Sequence, residues 1–187
     1  MNMLEIEKRG FLTEKQYNHL LYFLEKNGES LGADDKDVVY YIYPDKLLKA
    51  VHNISKGDAK ISLKMNKIGT GSVFPETEVF FLEDDFDKIK LIIGEIAKPD
   101  KVMEGIQKRK NFIYKDCEFA IKWSKEWNYH FEIEILVKNK NEVNNAEKKL
   151  EIIAEELGIK ILTENELKEF TKKAEERATK DSSKDTS

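Results

Sequence analysis

Apolar and polar residues alternate with a period of two in several stretches of this chain. The first is Met3-Leu4-Glu5-Ile6-Glu7-Lys8-Arg9. In a strand successive side chains point to opposite faces. Leu4 and Ile6 therefore share one face, and Glu5, Glu7 and Arg9 share the other. The two carboxylates are about 7 Å apart, two rises of roughly 3.3 Å. The design returns in Phe131-Glu132-Ile133-Glu134-Ile135 and in Glu76-Thr77-Glu78. Lys60, Ser62, Lys64 and Asn66 alternate with Ile61, Leu63 and Met65, and Lys108 and Lys110 share a face of a further strand. The pattern predicts strands over 2–11, 37–43, 47–54, 59–67, 76–82, 105–115, 117–124 and 129–138. Lys56-Gly57-Asp58 is a hairpin turn, and Gly69-Thr70-Gly71-Ser72 is a loop.

Other stretches change to the helical period. Thr13 and Gln16 form a capping box that opens a helix ending at Lys26, with Gly28 just beyond it. Its apolar face is Tyr17, Leu20, Leu21 and Leu24. Asp84 or Asp85 caps a second helix that reaches Ala97 and breaks at Lys98-Pro99-Asp100. A third helix spans 142–157 and stops at Gly158; a fourth opens at Thr163 and Glu166 and runs to Ala178. The polar segment 179–187 is predicted to be a disordered tail after a single domain over 1–178.

Eight strands in mostly hairpin order, with helices inserted, predict an α+β fold. An eight-stranded antiparallel set can curl into a β-barrel and remove its edges. Amphipathic helices would then cover the apolar faces from outside, and the charged faces would line a tunnel. An open sheet with one wet face would show the same alternation. Recurrence of both signs of charge on the same faces favours the tunnel.

The chain has 187 residues and a net charge of −4, so it carries no general polyanion-binding excess and no DNA binding is expected. Its one cysteine, Cys117, excludes an internal disulfide and a multi-cysteine zinc site. His19, His52 and His130 show no metal-ligand spacing. No apolar run approaches the roughly 18 residues that a membrane span needs. No secretory signal is seen at the N-terminus, and a cytoplasmic protein is expected.

The Glu5-Ile6-Glu7-Lys8-Arg9 segment resembles the Glu-x-Glu-x-Lys signature of the CYTH superfamily, the triphosphate tunnel metalloenzymes. The resemblance extends in order from Leu4 to about Glu176. It implies an eight-stranded antiparallel tunnel and Mg²⁺ or Mn²⁺ as cofactor. By that resemblance Glu5, Glu7, Glu76, Glu78, Glu132 and Glu134 are metal ligands. Glu5, Glu7, Glu132 and Glu134 are its catalytic carboxylates, and Arg9, Lys49, Lys64, Lys108 and Lys110 its phosphate-binding residues. Ser62 and Lys64 look like the family's Thr-x-Lys, and Lys108 and Lys110 like its Lys-x-Arg. Three positions depart from the pattern. Lys122 stands where many members carry an Asp, Phe74 stands where an Arg often precedes the middle acidic pair, and Lys49 is the main base of a thin third strand.

The implied function is metal-dependent hydrolysis of a triphosphate: inorganic tripolyphosphate, a nucleotide or thiamine triphosphate. Class IV adenylyl cyclases are the alternative enzyme, but they often carry a His-Phe pair before the signature, where this chain has Met1-Asn2-Met3-Leu4. A tunnel that binds polyphosphate or nucleotide without turnover is the third reading, motivated by Lys122. The expected partner is a triphosphate-containing small molecule, and a homodimer is compatible with exposed helices. His130 faces the tunnel by alternation, Tyr40 sits in a strand wall, and Trp123 and Trp127 pack the last hairpin.

Overall fold

The computed structural model describes residues 4–65 and 76–182. The Gly69–Ser72 loop, Phe74 and residues 183–187 lie outside the described residues, as does the Glu76 side chain. The strands are β1 (Leu4–Phe11), β2 (Glu29–Ala33), β3 (Lys36–Ile42), β4 (Leu47–Asn53), β5 (Asp58–Lys64), β6 (Glu76–Leu82), β7 (Lys101–Tyr114), β8 (Cys117–Ser124) and β9 (Asn128–Val137). The helices are α1 (Glu14–Asn27), α2 (Phe86–Ile96), α3 (Val143–Glu156) and α4 (Glu164–Ser182).

Eight strands form one antiparallel, curled sheet in the order β1-β9-β8-β7-β3-β4-β5-β6. β7 joins its two halves: residues 101–107 pair with β3, and 108–114 pair with β8. No pairing joins β1 to β6 among the described residues, so the curl is a half-barrel. Chain order brings first and last strands together, with Glu7 opposite Glu134 and Arg9 opposite Glu132. No helix among the described residues is long and apolar enough to cross a membrane.

Alternation places an apolar surface on the outside of this curl. Ile6, Phe119, Ile121, Phe131 and Ile133 pack with Leu20 and Leu24 of α1 and with Leu150 and Ile153 of α3. A second cluster joins Val39, Tyr41, Ala50 and Ala59 to Phe86 and Ile93 of α2. Burying each large apolar side chain contributes roughly 1.5–3 kcal/mol, so a one-residue slip of any strand would be heavily penalised. The capping box at Thr13 and Gln16 is present, and Leu20 and Leu24 are the buried positions of α1.

Three expectations are corrected. The sheet has a ninth strand: β2 pairs with the far half of β7, through an irregularity at Ser30 and Gly32, where Gly32 has φ of +86°. Its sequence Glu-Ser-Leu-Gly-Ala is exposed throughout and shows no apolar alternation, which is why the pattern misses it. Neither Asp84 nor Asp85 caps α2 through its side chain; a 3₁₀ turn over Glu83–Asp85 leads in, and Asp85 accepts from Lys88 at 2.6 Å. The last helix continues past Ala178 to Ser182, into the segment expected to be tail.

Candidate active site

The inner face of the curl is a cleft of about 360 Å³. Successive strands each add side chains to it at every second position. β1 supplies Glu5, Glu7 and Arg9, and β9 supplies His130, Glu132 and Glu134. β8 supplies Lys122, β7 supplies Gln107 and Arg109, and β3 supplies Lys36, Val38 and Tyr40. β4 supplies Leu47, Lys49 and Val51; β5 supplies Lys60 and Lys64; β6 supplies Glu78. These positions lie opposite one another in register: Glu7 with Glu134, Lys122 with Arg109 and His130, Lys49 with Tyr40 and Ser62, and Ser62 with Glu78.

Three carboxylates gather at the β1–β9 end. Glu5, Glu7 and Glu134 each offer an oxygen, all within 4.8 Å of one another. Burial raises the Glu134 pKa to about 7, helped by the charges of Glu5 and Glu118. Clustered carboxylates with oxygen donors only suit a hard divalent cation such as Mg²⁺ or Mn²⁺, not a soft metal. These residues fit the cofactor that the sequence resemblance implies.

Glu132 has a different environment. It is bonded to Lys122 Nζ, lies 3.2 Å from Arg9 Nε and 4.0 Å from Arg109 Nη1. Burial alone would push its pKa up, but Lys122, Arg9 and Arg109 outweigh burial and hold it well below the usual carboxylate range. Arg9 also bonds to Glu7. Burial, followed by the neighbouring Arg109 charge, pulls the Lys122 pKa down, against the opposing pull of Glu132. Burial and Lys122 lower His130 to about 4, so its imidazole is neutral at pH 7. Nδ1 of His130 lies 2.9 Å from the Asn128 carbonyl. Burial raises the Tyr40 pKa, with a contribution from Glu132, and keeps its hydroxyl a donor.

A second polar centre holds the β7 guanidinium in place. Asp34, 3% exposed, lies 3.2 Å from Arg109, 2.9 Å from Lys36 and 3.0 Å from Lys56, and accepts from Asn53 at 2.6 Å. Burial opposes its ionisation, but Lys36 and Arg109 prevail and hold its pKa far below normal. Arg109 Nε also donates to Asn111 Oδ1 at 2.6 Å.

One end of the cleft is aromatic and is closed by α4. Leu167 and Phe170 of α4 line it together with Trp127. The Phe170 ring centroid lies 5.6 Å from that of Trp127 and 5.7 Å from that of Phe11. The connector into α4 docks on the edge of β1, where Leu162 N donates to Arg9 O at 2.8 Å. Trp123 is on the outer face beside Tyr129.

The expected site residues divide accordingly. Glu5, Glu7, Arg9, Lys49, Lys64, Glu78, Glu132 and Glu134 are brought to one cleft. The Glu76 backbone pairs with Lys64, and its side chain lies outside the described residues. Lys108 and Lys110 are not in the cleft. They are exposed on the opposite face of β7, where Lys108 pairs with Asp35 at 2.7 Å and Lys110 with Glu25 at 3.0 Å. The base that β7 contributes is Arg109. Lys36 and Arg109 are not among the expected site residues, nor is the buried Asp34 that holds Arg109; Lys60 is expected on the charged face but without a role in the site. For Lys36 and Lys60 the alternation held the signal, since each lies two or four positions from another cleft residue.

No protein-family model matches the chain, and no curated protein matches it. Solved structures do. A Pyrococcus horikoshii OT3 protein superposes with a TM-score of 0.65 at 22% identity, covering 84% of this chain and 92% of its own. A candidate adenylate cyclase from Vibrio parahaemolyticus superposes with a TM-score of 0.65 at 11% identity, covering 92% of this chain and 99% of its own. A candidate adenylyl cyclase from Hippeastrum with a dominant triphosphatase activity superposes at 0.59 and 14% identity, covering 86% and 90%. At these identities the likeness is one of fold.

Proposed function

We propose that this chain is a metal-dependent hydrolase of triphosphates. The observation that carries the reading is the facing of two charge sets across one cleft. Glu5, Glu7 and Glu134 form an oxygen-donor cluster at one end, and Arg9, Lys49, Lys60, Lys64, Arg109 and Lys122 converge on the same floor. A triphosphate carries about four negative charges at neutral pH, and its transfer chemistry depends on positioning and charge neutralisation.

Glu5, Glu7 and Glu134 would hold Mg²⁺ or Mn²⁺, which supplies Lewis-acid polarisation of a phosphoryl oxygen and lowers the pKa of bound water. The lysines and arginines would bind phosphate oxygens along the cleft and fix the chain for in-line attack. Arg9 and Arg109 are held by Glu7 and Asp34, so their guanidiniums are already aimed before ligand arrives. The neutral His130 and the Tyr40 hydroxyl can serve as uncharged hydrogen-bond partners.

Phosphate release from tripolyphosphate, ATP and thiamine triphosphate, each with Mg²⁺, Mn²⁺ or chelator, tests the reading. Release that needs metal supports it and ranks the substrates. Cyclic AMP formed from ATP in the same reactions would support the cyclase reading instead. A folded protein that binds tripolyphosphate in chelator but releases nothing would be a non-catalytic binder.

A further inference from the structure

Glu132 and Glu134 sit two positions apart on β9, yet their counter-charges differ. Glu132 already has three cations around it: a direct bond to Lys122, Arg9 at 3.2 Å and Arg109 at 4.0 Å. Glu134 has no cation within ion-pair range among the described residues, and its oxygen lies within 4.8 Å of those of Glu5 and Glu7. Lys122 is 4% exposed, with its backbone paired between Arg109 on one side and His130 on the other. Its ammonium is held inside the cleft, bonded to Glu132.

We propose that the cleft takes a single divalent cation, among Glu5, Glu7 and Glu134, and that the Lys122 ammonium stands at Glu132 in place of a second one. This rests on the metal-dependent reading above. A second cation at Glu132 would have one carboxylate to bind and three fixed positive charges to displace. Mg²⁺ and Mn²⁺ are satisfied by oxygen ligands, and ammonium and guanidinium groups offer none.

Mn²⁺ titration followed by electron paramagnetic resonance, with metal-stripped protein and no other ligand, counts the tight sites. Wild type should bind one Mn²⁺ per chain. Lys122→Asp, which adds a carboxylate beside Glu132 and removes its ammonium, should bind two. Glu134→Gln should lose the tight site, and Glu132→Gln should keep it. Circular dichroism reports whether Lys122→Asp folds; if it does not, the wild-type count and the two glutamine variants decide. Two tight ions in wild type would overturn the inference while leaving the metal-dependent reading in place. One ion in folded Lys122→Asp, or loss of the tight ion in Glu132→Gln, would also overturn it. No binding by wild type, with or without tripolyphosphate, would overturn both.

Discussion

Removing the Arg109 guanidinium takes a cation out of the cleft, whereas removing the Lys108 or Lys110 ammonium breaks ion pairs on the outside of the sheet. Arg109→Ala should lower kcat/KM for tripolyphosphate by roughly 10–100-fold, the scale of one lost charge-assisted contact. It should remain folded, because Asp34 keeps Lys36 at 2.9 Å and Lys56 at 3.0 Å. Lys108→Ala and Lys110→Ala should each stay within about twofold, since exposed ion pairs contribute little. Equal losses at all three positions would sink this register of β7. Glu134 makes a prediction of opposite sign for stability and function. Its folded pKa of about 7 lies above the ordinary value of 4.5, so folding takes up a proton between those values and stability falls as pH rises through that window. At pH 8, in chelator, Glu134→Gln should therefore be more stable than wild type by about 1–2 kcal/mol after allowing for solvent screening. Urea unfolding measures this, and the same variant should lose the rise in Tm that Mg²⁺ gives wild type. A variant that is less stable at pH 8 would refute the crowding of charge at this end of the cleft.

The elements show which parts of the chain announce themselves. β1 and β9 were legible because each places an acid at every second position between Leu, Ile, Val or Phe residues. α1 was legible because its cap and its buried Leu20 and Leu24 agree. β7 was legible as a strand but not in its facing: Gln107-Lys108-Arg109-Lys110-Asn111 is five polar residues in a row, so alternation cannot say which face Arg109 takes. The pairing of β7 with β8 sets that face, placing Arg109 opposite Lys122. β2 was silent because an exposed added strand needs only backbone hydrogen bonds. Asp34 was equally silent, since its partners come from β3, β4, β7 and a turn, and no local spacing joins them. The junction of β1 with the connector to α4 gives the element-scale prediction. A Cβ on Gly10 would collide with the Lys160 carbonyl and with the Phe131 ring. Neither can yield cheaply, because one is backbone and the other is fully buried. Gly10→Ala should cost about 1–3 kcal/mol or more in urea unfolding, by lifting the connector from the β1 edge. An unchanged midpoint would mean that the connector does not dock there in solution.

At the scale of the whole molecule, the open curl gives the site two rims that a ligand can span. One rim is β1, with Glu5, Glu7 and Arg9; the other is β5 and β6, with Lys60, Lys64 and Glu78. The ladder does not join them among the described residues, and each is tied to the rest of the sheet through a single neighbouring strand of the order. A triphosphate on the floor, with its cation at the β1–β9 end, would engage both rims at once. Binding to the folded state alone stabilises it by mass action, about 2.7 kcal/mol at a ligand concentration one hundred times Kd. If the ligand bridges the rims, that stabilisation has a local signature as well as a global one. Amide hydrogen exchange should slow in β1 and β5 together when Mg²⁺ and tripolyphosphate are both present. Either alone should protect at most one rim, because the cation meets the carboxylates and the phosphates meet the bases. α2 packs on the outside of the sheet and β2 is exposed along its length, so neither should respond beyond the global shift. Raising the salt concentration should erase the tripolyphosphate effect first, since several of the charges that draw it in are partly solvated. Protection confined to β2 and α2, or none with both components present, would show that the charged floor of the half-barrel is not where a triphosphate binds.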